Sequence, residues 1–234
     1  MFSLASQGGS VSFPMRQSMD CHSVTKKFDW VRMEISVVVT NYNYGRFVGR
    51  CIRSLLSQDL ESNRFEIIVV VDGSTDDSLD HLSVYSNDIN LVSLGSNRGL
   101  GYAANAGMKL AKSRYIVRVD SDDFVHSSFL STLILGFELF GKDFEAVSCD
   151  YLEVSPTGET IGYGDASRVP IACGIAFKAD ILEVLGYYNK GLRINEEIDL
   201  RERFTNEGFS IKNITLPLYR YVKHGSSLTK KVLI

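Results

Sequence analysis

"YIVRVDSDDF", residues Tyr115 to Phe124, carries a run of β-branched and apolar side chains straight into Asp120-Ser121-Asp122-Asp123. Two upstream stretches share the apolar half of that pattern: "ISVVVT" (Ile35–Thr40) and "FEIIVVVD" (Phe65–Asp72). Continuous runs of this kind are expected of strands covered on both faces. Segments with helical spacing lie between them. "FVGRCIRSLLSQ" (Phe47–Gln58) separates the first two runs. "INLVSLG" and "GYAANAGMKLAK" supply a third strand and a small-residue helix before the fourth strand, "RYIVRVD". Alternating strands and helices imply a parallel sheet with right-handed crossovers, and such sheets bind ligands at the carboxyl ends of their strands. Three of those ends carry polar side chains, Thr40-Asn41, Asp72 and Asp120, and they are expected to converge on one rim.

Beyond Val125 the pattern loosens. It predicts a helix over Ser128–Phe140, a strand near "FEAVSCDYLEV", a turn at "SPTGET", and helices around "ADILEVLG" and through "EEIDLRERFTNEG". "GSTDDS" ends the second strand, and Ser74 or Thr75 is expected to cap the helix that follows. A chain of 234 residues suits one large domain or two small ones, with ample material for a core. A net charge of -3 gives no electrostatic reason to expect a nucleic-acid partner. Cys21, Cys51, Cys149 and Cys173 are widely spaced without a CxxC pair, so free thiols in a reducing compartment are expected rather than disulfides or zinc. No apolar stretch approaches the roughly 20 residues that span a bilayer. The Ser- and Gly-rich start, "MFSLASQGGSVSFPMRQSMD", lacks the continuous apolar region of a signal peptide. Residues 1–33 read as a flexible extension ahead of a domain over 34–234, and a cytoplasmic location is expected.

Why would a buried strand deliver three acids to its end? Asp120 and Asp122 are two apart, so on extended chain they face the same way, where carboxylates repel unless a cation or proton offsets them. Hard oxygen ligands suit Mg²⁺ or Mn²⁺, with substrate phosphates completing the shell. The alternative is a solvated acidic turn with Asp123 capping a short helix. Asp72 can accept from a base N–H or a ribose hydroxyl, as strand-end acids do in nucleotide sites, or can serve as a turn residue before Gly73-Ser74. "SNRGLGYAANAG" adds a Gly-rich loop entering a helix, although its GxG is too short for a dinucleotide fingerprint.

Taken together these segments resemble the family 2 glycosyltransferases of the GT-A fold, inverting transferases that use nucleotide sugars. The resemblance covers roughly Glu34 to Thr229 and rests on six stretches in the family's order. They are "SVVVTNYNYGRFVGRCIRSLLSQ", "EIIVVVDGSTDDS", "NRGLGYAANAGMKLAKSRYIVRVDSDD", "CGIAFKADILEVLGYYN", "NEEIDLRERFTNEGF" and "YRYVKHGSSLT". It implies a single α/β domain with a Rossmann-like, mostly parallel central sheet flanked by helices. Residues 34–125 would form the nucleotide-sugar half and 126–234 the acceptor half.

By that resemblance Thr40, Asn41, Tyr42 and Asp72 would hold the base and ribose, Asn105 would support the nucleotide loop, and Ser121 would lie beside the donor. Asp120 and Asp122 would form the D-x-D of a divalent-metal site, with His224 approaching the metal or diphosphate. Val71 precedes Asp72 where the family often has a second acid. The family's base lies in a Glu-Asp pair; here the pair is Glu196-Glu197, followed by Asp199, and the extra methylene of Glu197 displaces its carboxylate by about 1 Å. Either glutamate can be the base, or all three acids can be a first turn favoured by the helix dipole. Arg220, Lys223, Lys230 and Lys231 would favour a diphosphate or be ordinary solvated charges. The partners the resemblance implies are a nucleotide-sugar donor carrying UDP and a glycan or lipid-linked acceptor met at the inner membrane surface, with no nucleic acid. Two rivals are a sugar nucleotidyltransferase and a catalytically silent nucleotide-binding domain. The first would place a Gly-rich loop with Lys or Arg directly after the first strand, where this chain has "TNYNYGRF".

Overall fold

The computed structural model describes residues 33–225, so the expectations for the N-terminal extension and for Lys230 and Lys231 fall outside the described residues. The elements run β1 (Ile35–Asn41), α1 (Gly45–Leu56), β2 (Phe65–Asp72), α2 (Ser78–Ser83), β3 (Asn90–Leu94), α3 (Leu100–Met108), β4 (Tyr115–Asp120) and β5 (Phe124–Val125). They continue with α4 (Phe129–Phe140), β6 (Ala146–Val154), β7 (Thr160–Gly164), β8 (Ile175–Lys178), α5 (Ala179–Val184), α6 (Glu196–Asn206) and β9 (Ile211–Val222). The sheet order is β3-β2-β1-β4-β8-β6-β9-β5, with β7 paired to β6. β3, β2, β1 and β4 are mutually parallel, as the apolar runs predict. The C-terminal half is mixed: β8 is antiparallel to β4 and β6, whereas β9 runs parallel to β6.

Period-2 alternation sorts the strands' side chains between two helix layers. Val37, Val39, Ile67, Val69, Val71, Val117 and Val119 share a core with Val48, Ile52 and Leu55 of α1 and with Leu130 and Leu133 of α4. Val38 and Ile116 point the other way, onto Ala104 and Met108 of α3 and Leu200 and Phe204 of α6. Ile68 and Val70 join that second face through Ala103. Fully burying one such valine stabilises the fold by roughly 1.5–3 kcal/mol. Gly107 allows α3 to lie close: a Cβ there would come within 2.5 Å of Val38 Cγ1.

The same parity fixes the rim. Thr40, Asp72, Arg118 and Asp120 have the parity of Val38, Val70 and Ile116, so all four face the α3–α6 side, three of them at strand ends. Thr40 is in register with Asp120 on one neighbour and with Val70, two residues before Asp72, on the other.

Two local expectations change. Ser74 and Thr75 do not cap α2, which begins at Ser78. Ser74 Oγ instead accepts from Asn43 N (3.0 Å) and Asn41 Nδ2 (3.2 Å), while Thr75 N donates to Asn43 Oδ1 (2.8 Å), so this turn ties down the loop after β1. α1 starts at Gly45, two residues before the apolar pattern, because Asp76 Oδ2 reaches across to accept from Gly45 N (2.8 Å).

Candidate active site

Asp72 is 3% exposed, and its two carboxylate oxygens accept from Arg98 N and Gly99 N, both at 2.8 Å. The Gly-rich loop is thus folded onto the end of β2. Gly73, at φ +66°, allows the close approach: a Cβ there would lie 2.5 Å from Asn97 N and from the Ser96 carbonyl carbon. The loop leads into α3, where Gly101 faces Tyr188 and Glu196; a Cβ on it would sit 3.5 Å and 3.7 Å from their Cβ atoms. Asn105, one turn on, exchanges two hydrogen bonds with the Tyr188 backbone (2.8 and 3.0 Å). Its buried amide therefore fixes the chain leading to α6.

Asn195, in the left-handed region at φ 62°, turns the backbone into α6 and directs Glu196 inward. Glu196 is 3% exposed, and burial raises its carboxyl above the usual range against the opposing pull of Arg118. Glu197 is half-buried, and the Asp199 carboxylate is held by Arg203 at 2.6 Å.

Arg118, 2% exposed, was read as part of an apolar strand, yet it is the cation around which the site is arranged. Its Nε lies 3.1 Å from Asp120 Oδ1 but out of line for a hydrogen bond, so the two form an ion pair without a directed bond. Nη1 meets Tyr188 Oη at 3.3 Å, and Nη2 has no hydrogen-bond partner. Burial is the largest single influence and opposes its charge, but Asp120 together with Tyr188, Cys173 and Glu196 holds the guanidinium well above its ordinary pKa. A charged side chain inside a run expected to be covered on both faces was the signal for this residue, since such a charge must be paired.

Around the acidic turn the roles divide. Asp122 Oδ2 lies 2.8 Å from His224 Nε2, and the imidazole stacks on Phe47 (4.6 Å between centroids) and meets Tyr44 edge-on (5.6 Å). Asp123 is no helix cap. It is 1% exposed and accepts from Val222 N and Tyr219 Oη, both at 2.8 Å. Tyr219 Oη also accepts from Asp120 N at 3.2 Å, so β9 clasps the turn from behind. Burial and then Asp120 raise the Asp122 carboxyl, and Tyr44 is pushed up by burial and by Asp122. Thr40, Asn41 and Ser121 are buried at the same strand ends, and Asn41 Oδ1 and Ser121 Oγ have no hydrogen-bond partner. Tyr42 is 43% exposed. Lys223 pairs with Glu153 at 2.9 Å and Arg220 bonds the Pro217 carbonyl, so both basic groups are engaged within the fold.

The donor set fits a hard divalent cation. Carboxylates crowd together, Asp120 Oδ1 lacks a hydrogen bond, and burial together with the Asp120 charge raises the Asp122 carboxyl, a repulsion that a cation would offset. Asp120, Asp123 and Cys173 also bring one ligand atom each within 4.8 Å of one another, a spacing a metal could bridge. The oxygens of Asp123 are already bonded, however, and burial pushes the Cys173 thiol well up.

The model of the family described as "Glycosyl transferase family 2" matches residues 36–180. The glycosyltransferase GlyG of Streptococcus pneumoniae is 38% identical over 102 residues, which are 42% of this chain and 33% of that protein. S. aureus TarS 1–349, crystallised with UDP-GlcNAc, superposes with a TM-score of 0.74 at 21% identity, covering 85% of this chain and 61% of that one. The mannosyltransferase PcManGT of Pyrobaculum calidifontis, in complex with GDP-Man and Mn²⁺, gives 0.64 at 20% identity, covering 81% and 56%. The chain thus spans only part of each protein's length. The two structural likenesses establish the fold, GT-A, and the family match spans more than half of the 234 residues. This chain belongs to glycosyl transferase family 2.

Proposed function

We propose that this chain transfers a sugar from a nucleotide-diphosphate donor, a UDP-sugar, to a hydroxyl of a glycan or lipid-linked acceptor, with inversion. The observation that carries the reading is the shared rim. Thr40, Asp72 and Asp120 face one side of the sheet at its carboxyl edge, and the buried Glu196 lies on that side within the electrostatic reach of Arg118. The GDP-Man and Mn²⁺ complex of the mannosyltransferase supports a nucleotide sugar and a divalent ion in this fold.

In this reading Asp120 and Asp122 hold Mg²⁺ or Mn²⁺, with His224 orienting Asp122. When bound, the cation stabilises the charge developing on the leaving diphosphate. Asp72 keeps the Gly-rich loop closed over the base and ribose side, where Thr40, Asn41 and Tyr42 line the strand ends. Arg118 pairs with Asp120 and keeps its carboxylate in place. Glu197, half-buried beside the inward Glu196, takes the proton from the acceptor hydroxyl as that oxygen attacks, and one displacement inverts the anomeric centre. Glu196 is the neighbour that fixes this end of α6. No helix among the described residues is long and apolar enough to cross a membrane, so a lipid-linked acceptor would be met at the surface.

The test is a thermal-shift screen of UDP-, GDP- and dTDP-sugars with and without Mn²⁺, followed by transfer assays. A metal-dependent rise for one donor is expected, because a ligand binding only the folded state raises the melting point. E197Q should lower transfer by about 10²–10⁴-fold with donor binding unchanged. Near-wild-type transfer by E197Q would remove Glu197 from that role. The substitution of Glu for the family's usual Asp favours a second reading, a nucleotide-binding domain without transfer, which a donor-hydrolysis assay with Mn²⁺ separates from the first.

A further inference from the structure

The ring of Phe47 links two parts of the surface. It stacks on His224, and it also lines a cavity of about 370 Å³ bounded by Arg46, Arg50, Arg53 and Pro156. That volume lies within the roughly 300–1,000 Å³ of small-ligand sites. None of the carboxylates of the acidic turn lines it. Arg46, Arg50 and Arg53 are spaced four and three apart, so their side chains share one face of α1 and their like charges repel. Arg50 is partly buried: Nη1 donates to the Pro156 carbonyl at 2.8 Å, and the guanidinium stands 4.4 Å from the Phe124 ring. Its Nη2 is buried without a hydrogen-bond partner. Arg53 Nη1 donates only to Tyr85 Oη, at 3.2 Å. Among the described residues neither Arg50 nor Arg53 forms an ion pair.

Arg50 and Arg53 bring guanidinium groups to one cavity with no carboxylate among its described lining residues, and such forks match the paired acceptors of a phosphate group. We propose that this cavity binds a phosphate carried by the acceptor, one aromatic ring away from His224 and the acidic turn. The assignment to the acceptor rests on the transferase reading; the phosphate site itself does not. A phosphate seated there would tether the acceptor on the α1 side while its hydroxyl reaches the rim.

The experiment titrates short-chain polyphosphate into the full chain by calorimetry, at low ionic strength and with EDTA present so that no metal contributes. Wild type is expected to bind, R50Q and R53Q to bind about tenfold or more weakly, and D122N, which removes a negative charge acting on Arg50, to bind no more weakly than wild type. R50K, which keeps the charge but loses the fork, should also weaken binding. Arg53 is exposed, so R53Q keeps the test decisive if R50Q fails to fold. A parallel arm offers phosphatidylcholine vesicles with and without phosphatidic acid. Arginine-dependent binding to either probe supports the site and tells a soluble phosphate from a lipid headgroup. No binding to either, binding unchanged in R50Q and R53Q, or displacement by a UDP-sugar with Mn²⁺ would overturn it. Arginine-dependent phosphate binding without any donor binding would instead sink the transferase reading and leave the site standing.

Discussion

Replacing Gly73 with alanine strikes the joint between the second strand and the Gly-rich loop. At φ +66° a side chain is strained, at a cost of about 1–2 kcal/mol. The added Cβ would also lie 2.5 Å from Asn97 N and from the Ser96 carbonyl carbon, and 2.7 Å from Ser96 Cα. These are backbone atoms, so no rotamer change relieves the clash, and overpacking of this kind costs about 1–3 kcal/mol more. The loop must shift, and the next two amides along it, Arg98 N and Gly99 N, are the ones that hold Asp72. The sum is about 2–5 kcal/mol. At about 2–4 °C per kcal/mol for a chain of this size, the melting point should fall by about 4–20 °C. Urea titration should give the same free energy, and donor binding should weaken in parallel. G95A is the control, since its Cβ would meet nothing within 4 Å and it should be close to neutral. If the loop transmits the damage, G73A and D72N will be non-additive in a double-mutant cycle. A G73A chain that melts within about 2 °C of wild type would refute the packing argument.

Three further outcomes are expected. Burial raises the Glu196 carboxyl, so relative to a neutral side chain wild type is most stable below the ordinary carboxylate pKa and loses that advantage as pH rises through the folded value. E196Q should therefore compare more favourably with wild type at neutral pH than at pH about 4 in urea titrations, and parallel pH profiles would contradict this. Cys51, Cys149 and Cys173 are buried, and desolvation pushes their thiols up, that of Cys149 to about 12. None of the three should react with a disulfide reagent at pH about 8 until the chain unfolds, and native labelling of any one would refute their burial. Y219F removes the hydroxyl that donates to Asp123 and accepts from Asp120 N, and should lower stability by about 1.5–3 kcal/mol in urea denaturation; an unchanged midpoint would count against the clasp.

The parallel half of the sheet was legible because β1, β2 and β4 are long β-branched runs buried on both faces, and their parity alone gathers Thr40, Asp72 and Asp120 on one side. β7, β8 and β9 were not legible. β8 has four residues, and β9 carries Pro217 and mixes polar with apolar side chains without regular alternation, so neither shows a clean period. The site followed the same division. The acidic turn could be read locally, whereas the contact of His224 with Asp122, 102 positions apart, could not. The burial of Asp123 could not be read, because its partners Tyr219 and Val222 lie in the strand that left no pattern. Ser74 and Thr75 misled for a related reason: short polar side chains bond whichever backbone lies nearest, and here that is the Asn43 loop.

The clasp by β9 sets an order of assembly. Asp122 and His224 stand 102 residues apart, and Asp123 waits for Val222 across 99. At about 5–20 residues per second on the ribosome, an emerging chain spends about 5–20 s with its acidic turn made but its partners still untranslated. For that interval the nascent protein exposes a knot of carboxylates to water, and the geometry of its acidic turn can set only after nearly all of the described polypeptide has been synthesised.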